Sequence, residues 1–285
     1  MTDNRAHGRL CLGFTADAEG KTRLTSRAQS APLQVVRAFD LDDGASLVHL
    51  HNVSGGVLGG DRLETHIAVG PNAMAQVTTT GATRIYRPNA ADEVAVQTTN
   101  VTVAEGGLLE YLPDPLIPFA GAHYRQETQI SLAPGAGLFW WEMVAPGRAA
   151  HGECFAYKRL ELALDLQAGN HLIARERARL EPSHRPMQSP ARLGLYRHFC
   201  TFYVCQVGEA TARWQALEAE LSALAQELSS PGDALWGAST LFAHGLSVRG
   251  LSRTGRDLPV GLLAFWQAAK RALYGREATV PRKVH

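Results

Sequence analysis

Four nine-residue windows share one pattern, and that repeat constrains the fold more than any other feature of the chain. They are Val69–Val77, Val103–Tyr111, Leu132–Trp140 and Leu166–Ala174, with first residues spaced 34, 29 and 34 apart. Each begins on an apolar residue at the end of a strand-like run, carries Asn or Gly at its fourth position, and resumes with apolar or alternating residues. Asn and Gly tolerate a positive φ that other residues resist, so the pattern reads as strand, tight turn, strand. Units that each leave an apolar face bare must stack on one another. The expectation is a mainly β (α+β) fold, with stacked antiparallel β layers built from repeated hairpins.

The β texture runs from Pro32 to Val207, preceded by a strand near Gly8–Phe14. It is interrupted over 182–192, where three prolines predict a loop. Then the period changes. Trp214, Leu217, Leu221, Leu224 and Leu228 recur at steps of 3 and 4, which predicts an amphipathic helix over 209–228. A short strand is expected at Leu246–Leu251. Asp257 is expected to cap a second helix over 258–274, with Pro259 in its first turn and Gly275 as its stop. Strands first and helices last favour mainly β or α+β over a doubly wound sheet. The chain is read as a single domain over 1–285, β-rich over 8–207, with a helical and strand C-terminal part over 208–285.

Composition removes several classes. At 45% hydrophobic and 19% charged residues, the 285-residue chain is not disordered. Its 28 Lys and Arg nearly balance 27 Asp and Glu, so a large basic face for nucleic acid is not expected. No run of ~18 apolar residues suggests a membrane span, and the polar N-terminus does not resemble a signal peptide. The four cysteines, Cys11, Cys154, Cys200 and Cys205, have no CxxC spacing, which favours free thiols in a reduced, cytoplasmic setting.

Three groups of residues are candidates for chemistry. Ser54-Gly55-Gly56-Val57-Leu58-Gly59-Gly60-Asp61-Arg62-Leu63-Glu64 packs four glycines into six residues. It lacks the order of a phosphate cradle, and a structural double turn is favoured over phosphate binding. The other option is a loop that displays Asp61, Arg62 and Glu64. His49 and His51 share one face of a strand, and with His66 they offer part of a metal site or simply a polar face. Glu142 and Glu176 lie ten residues after the first residues of the third and fourth windows, so stacking would bring them together on one strand face. Paired carboxylates suit glycoside hydrolysis or a transient cation path; the alternative is salt bridging to Arg175 and Arg177. No GxSxG, HExxH or catalytic cysteine signature is present.

Two stretches taken together are distinctive: His51-Asn52-Val53-Ser54-Gly55-Gly56-Val57-Leu58-Gly59-Gly60-Asp61-Arg62-Leu63, then Thr78-Thr79-Thr80-Gly81-Ala82-Thr83-Arg84-Ile85-Tyr86-Arg87-Pro88. Supporting pieces are Glu105-Gly106-Gly107-Leu108-Leu109-Glu110-Tyr111-Leu112-Pro113, Trp141-Glu142 with Pro146-Gly147-Arg148, Gly245-Leu246-Ser247-Val248-Arg249, and Pro281-Arg282-Lys283-Val284. In order and spacing the chain resembles the urease accessory protein D family, also called H, over about 32–182 and from about 245 to the end. Leu193–Val207 matches that pattern poorly. The resemblance implies a non-catalytic maturation factor, a β-rich scaffold with two late helices. Its implied partners are accessory protein F, the GTPase accessory protein G and apo-urease, with no nucleic acid and no membrane. It implies no tightly bound cofactor but transient Ni²⁺, passed through a water-filled tunnel. By motif position, Asp61, Glu64, Glu142 and Glu176 are matched to that path. Small-to-large changes at Ser54 or Gly59 are expected to occlude it. Spaced carboxylates bind Ni²⁺ weakly enough to release it, whereas thiolates would hold it. A β-rich carbohydrate hydrolase using Glu142 and Glu176 is the alternative from another class, and an adaptor without an ion path is a third.

Overall fold

A computed structural model describes residues 5–89 and 93–281. The chain opens with an antiparallel hairpin, β1 (His7–Ala16) and β2 (Thr22–Ser30). Short β3 (Leu33–Gln34) and β4 (Ala38–Asp40) both pair antiparallel with β5 (Ser46–Asn52). Three repeated units follow, and each crosses between two facing sheets. The first unit holds β6 (Arg62–Val69), β7 (Met74–Thr79) and short β8 (Thr83–Ile85). The second holds β9 (Ala95–Val103), β10 (Leu108–Tyr111) and short β11 (Leu116–Pro118). The third holds β12 (His123–Leu132) and β13 (Gly137–Val144). Then come β14 (Arg159–Ala168), β15 (His171–Leu180), β16 (His198–Gln206), α1 (Thr211–Leu228), β17 (Ala234–Thr240), β18 (Gly245–Ser252) and α2 (Asp257–Tyr274).

The first sheet runs β15-β14-β12-β9-β6-β1-β2. The main path of the second runs β17-β18-β16-β13-β10-β7-β5-β3. The fold is mainly β with two late helices, as the periodicity predicts. The hairpin expectation is corrected in three of the four windows. There the two strands of a window do not pair with each other; β6, β9 and β12 pair in parallel in one sheet, and β7, β10 and β13 in parallel in the other. Connector length explains the difference. Windows one to three join their strands through residues 70–73, 104–107 and 133–136, enough chain to step across to a sheet ~10 Å away. The fourth has only Gly169 and Asn170 between β14 and β15, and it does form an antiparallel hairpin. It is also slipped: Leu132 pairs with Ala168, not with Leu166.

The fourth-position rule holds in all four turns. Asn72, Gly106, Gly135 and Gly169 have φ of 54°, 65°, 72° and 57°. The first three turns stack by backbone bonds, such as Asn72 N–H to the Glu105 carbonyl and Gly137 N–H to the Gly107 carbonyl. A parallel stack therefore forms without leaving turn amides bare.

Two cores result. Between the sheets, inward residues such as Ile67, Val101 and Ile130 form one. On the outer face of the second sheet, Phe139, Trp141 and Phe202 pack under both helices, against Trp214, Leu221, Leu262, Phe265 and Trp266. Asp257 does not cap α2. It is the first helical residue, and its carboxylate accepts a hydrogen bond from Ser252 Oγ. Gly275 closes the helix in the left-handed region, φ 62°, with its N–H on the Arg271 carbonyl. A buried charge cluster fastens this helix: Lys270 Nζ lies 3.1 Å from Asp43 and 3.0 Å from Glu110. Glu110 also accepts from Gln76 at 2.9 Å and from the Trp266 indole at 3.1 Å.

Candidate functional site

Between the sheets, the inward side chains change character along each strand. One half of the gap is filled by Val69, Val103, Leu132 and their neighbours. The other half presents Thr65, Thr99 and Thr128 in one register row, and Gln97 beside Gln126 in another. These polar rows border a cavity of about 340 Å³, closed on the opposite sheet by Tyr111, Trp140 and Glu142. Its exposed end is made by Asn52, Gly55, Thr80, Gly81 and Arg84, with Gly56 buried beneath them.

The glycine-rich loop forms the collar of that end, which fits the structural double turn. Val57 N–H donates to the Arg84 carbonyl and Tyr86 N–H donates back to the Val57 carbonyl, both at 2.8 Å. Asn52 Nδ2 and Ser54 Oγ donate to the Gly56 carbonyl. A side chain at Gly59 would strike Pro88 Cβ at 2.2 Å, so the loop lies flat on the second motif. This contact brings GGVLGGDRL and GATRIYRP together in space. Neither Ser54 nor Gly59 is among the cavity-lining residues.

The four carboxylates matched to the path have different places. Asp61 is buried and its two oxygens accept backbone N–H bonds, from Ala6 at 2.9 Å and Leu58 at 2.8 Å. Glu64 points out from β6, 3.6 Å from both Arg9 and His66. Neither borders the cavity. Glu142 does, and it keeps accessible surface because the cavity reaches it. It accepts from Gln126 Nε2 at 2.6 Å. Burial and then the Glu176 charge push its carboxyl up to about 7, against Trp140 and Gln126.

Glu142 and Glu176 do interact, but not on one strand face. Glu142 hangs from β13 in the second sheet and Glu176 from β15, the edge of the first, so they meet across the gap. The parallel, two-sheet stacking is the reason. Arg175 and Arg177 are not their partners; both turn outward to Asp165, at 2.8 and 2.7 Å. Glu176 is held by Tyr203 Oη at 2.7 Å and Arg249 at 2.9 Å.

His51 borders the cavity, whereas His49 is buried beside the Phe39 ring. Burial, then the His49 charge, holds His51 below the usual histidine range. His66 faces outward near Glu64, so the three histidines form no common site. Among the described residues, no three His, Cys, Asp or Glu side chains converge closely enough to hold a metal ion. The four cysteines are free. No described helix is long and apolar enough to cross a membrane.

Sequence reading missed Asp114, a second carboxylate on the cavity wall, bonded through its N–H and side chain to Thr79. It also missed the Thr and Gln rows. Their signal was in the repeat, because Thr65, Thr99 and Thr128 each stand four residues before the first residue of a window. Arg249 and Tyr203 carried no such signal, since they come from outside the repeat.

Fold and site define a stacked two-sheet scaffold with an oxygen-lined interior. Its named relatives belong to one group. The family model for "UreD urease accessory protein" matches residues 6–285. A protein of Herpetosiphon aurantiacus named "Urease accessory protein UreD" is 50% identical over 281 residues, 99% of this chain and 97% of that one. Proteins of the same name from Opitutus terrae and Pseudomonas aeruginosa are 33% and 34% identical, each over 97% of this chain and over 98% and 94% of their own. The chain belongs to the UreD family of urease accessory proteins. Its role lies in urease maturation, as an accessory protein rather than the catalyst.

Proposed function

We propose that this protein docks on apo-urease together with accessory proteins F and G and conducts nickel to the urease active site through the cavity between its sheets. The observation that carries this is Glu142 on the cavity wall, bonded to Gln126, within the field of the Glu176 carboxylate and flanked by rows of Thr and Gln oxygens. Such a wall offers a divalent cation hard, neutral or weakly charged ligands in succession. None is a thiolate or a closed histidine set, so the ion is passed on instead of stored. Asp114, beside Thr79, and Glu142 give two carboxylate stations on the cavity wall, and the Glu176 charge acts on Glu142 from the opposite sheet. Asp61 serves the path indirectly, by holding the loop that leads into the collar. Glu64 lies off it.

The accessory protein F is proposed to engage the C-terminal part, from about Asp257 onward. Phe265 and Trp266 are spent on the internal core, so docking relies on the outer side of α2, where Val260 is 64% exposed, and on the segment after it. Arg282 and Lys283 of the basic tail lie outside the described residues.

The test is co-expression with a urease operon at limiting nickel. Glu142→Ala combined with Glu176→Ala, in a chain that still co-purifies with F and G, should lower urease nickel content. Full nickel content would sink the path. A hydrolase built on the same two carboxylates would leave urease nickel untouched.

A further inference from the structure

Glu142 and Glu176 are not the whole of their cluster. In the second sheet, Glu142 pairs in register with Thr201, and Thr201 with Arg249. The three side chains therefore form one row across β13, β16 and β18, on the face turned to the first sheet. Glu176 descends from the opposite sheet onto this row. One of its oxygens takes the Arg249 guanidinium at 2.9 Å and the other takes Tyr203 Oη at 2.7 Å. Beyond Arg249 the row ends at Gly237, which has nothing within 4 Å of where a side chain would begin. The Arg249 side chain is 60% exposed while Glu176 is 26% exposed, so the guanidinium reaches the pair from the solvent side.

A second observation points to a ligand in the cavity that Glu142 borders. Thr128 Oγ1 is buried in the cavity wall, in the row with Thr65 and Thr99, and it has no hydrogen-bond partner among the described residues. A buried hydroxyl left unpaired is costly unless something else uses it.

We propose that Arg249 is a displaceable counter-ion that competes with a divalent cation for Glu176 and so limits how long the cation stays at the carboxylate pair. This rests on the nickel path proposed above and adds to it what keeps the path shallow. Without a fixed positive charge, two facing carboxylates make a trap for a divalent ion. With Arg249 in place, an incoming cation gains one carboxylate only by breaking an ion pair, and the guanidinium restores that pair as the ion leaves. Tyr203 keeps Glu176 in position during the exchange.

The test is Ni²⁺ binding to the full chain by isothermal titration calorimetry, beside thermal midpoints. Arg249→Ala and the longer Arg249→Gln should each raise Ni²⁺ affinity by about two- to fivefold, the range of a half-exposed ion pair. Arg249→Lys should restore most of the original weak binding. Adding Glu176→Ala to Arg249→Ala should erase the gain. In the assembly with F, G and urease, Arg249→Gln should leave more nickel on the accessory protein and less in urease. Unchanged Ni²⁺ affinity in both neutral variants, with only the thermal midpoint moved, would make Arg249 a structural tie and overturn the proposal. The nickel path fails separately, if Glu142→Ala with Glu176→Ala delivers nickel in full.

Discussion

Glu142 titrates near 7 because burial and the neighbouring Glu176 charge both disfavour its anion. Its folded pKa stands above the unfolded value of 4.5, so between those values the folded chain keeps a proton that the unfolded chain has lost. Stability therefore falls as pH rises from about 4.5 through 7 and stays lower above that window. Glu142→Gln keeps the shape and the acceptor for Gln126 but has no charge to bury. It should be near neutral at pH 5 and stabilising by about 3 kcal/mol at pH 8, read from urea midpoints at the two pH values. Equal effects at both would show that the carboxyl is not shifted. Asp61 and Glu64, neighbours in one motif, should differ in size of effect in the same assay. Asp61→Ala leaves the Leu58 and Ala6 amides without their acceptor and should cost about 1–3 kcal/mol, while Glu64→Ala should cost under about 1 kcal/mol. A motif marks both residues as special, but only burial separates a loop brace from a surface charge.

The turns and the C-terminal helix show what elements add. Windows one to three and window four look alike as nine-residue patterns, yet four connecting residues make an arch and two make a hairpin. That difference was legible in the Gly169-Asn170 pair, but only once strand ends are known. The change proposed at Gly59 to block a path acts on the loop instead: Gly59→Ala meets Pro88 at once and should destabilise by about 1–3 kcal/mol, measured by thermal melting, before any occlusion. At α2, helical spacing alone exposed the buried face of Leu262, Phe265, Trp266 and Ala269. It did not reveal that Lys270, beside Ala269, is also buried, because its partners Asp43 and Glu110 come from 160 or more residues away. Burial raises the Glu110 carboxyl, and Lys270 works against that, followed by Gln76 and Trp266. Lys270→Ala strands Glu110 and should cost about 3–5 kcal/mol, whereas Lys270→Met with Glu110→Gln should cost clearly less. Equal losses in the two variants would mean the cluster is held by packing alone.

At the scale of the molecule, the layers set what can be cut and what can dock. Gln76 Nε2 donates to the Thr279 carbonyl at 3.1 Å and Pro281 is buried, so removing 276–285 disturbs the second core as well as the tail. Removing 282–285 alone leaves those contacts intact. It should weaken co-purification with accessory protein F several-fold if the basic tail takes part, and unchanged recovery would remove the tail from that interface. Strand texture, late helices, turn residues with positive φ and family motifs were all legible in the chain, since each rests on neighbours within a few positions and on the periods 2 and 3.6. Pairing direction, the approach of the Glu176 charge to Glu142 across the gap, the place of Asp114 on the cavity wall and the Arg249–Glu176 ion pair were decided by the tertiary structure. Each joins residues distant in sequence, and local pattern holds no information about which strands lie face to face.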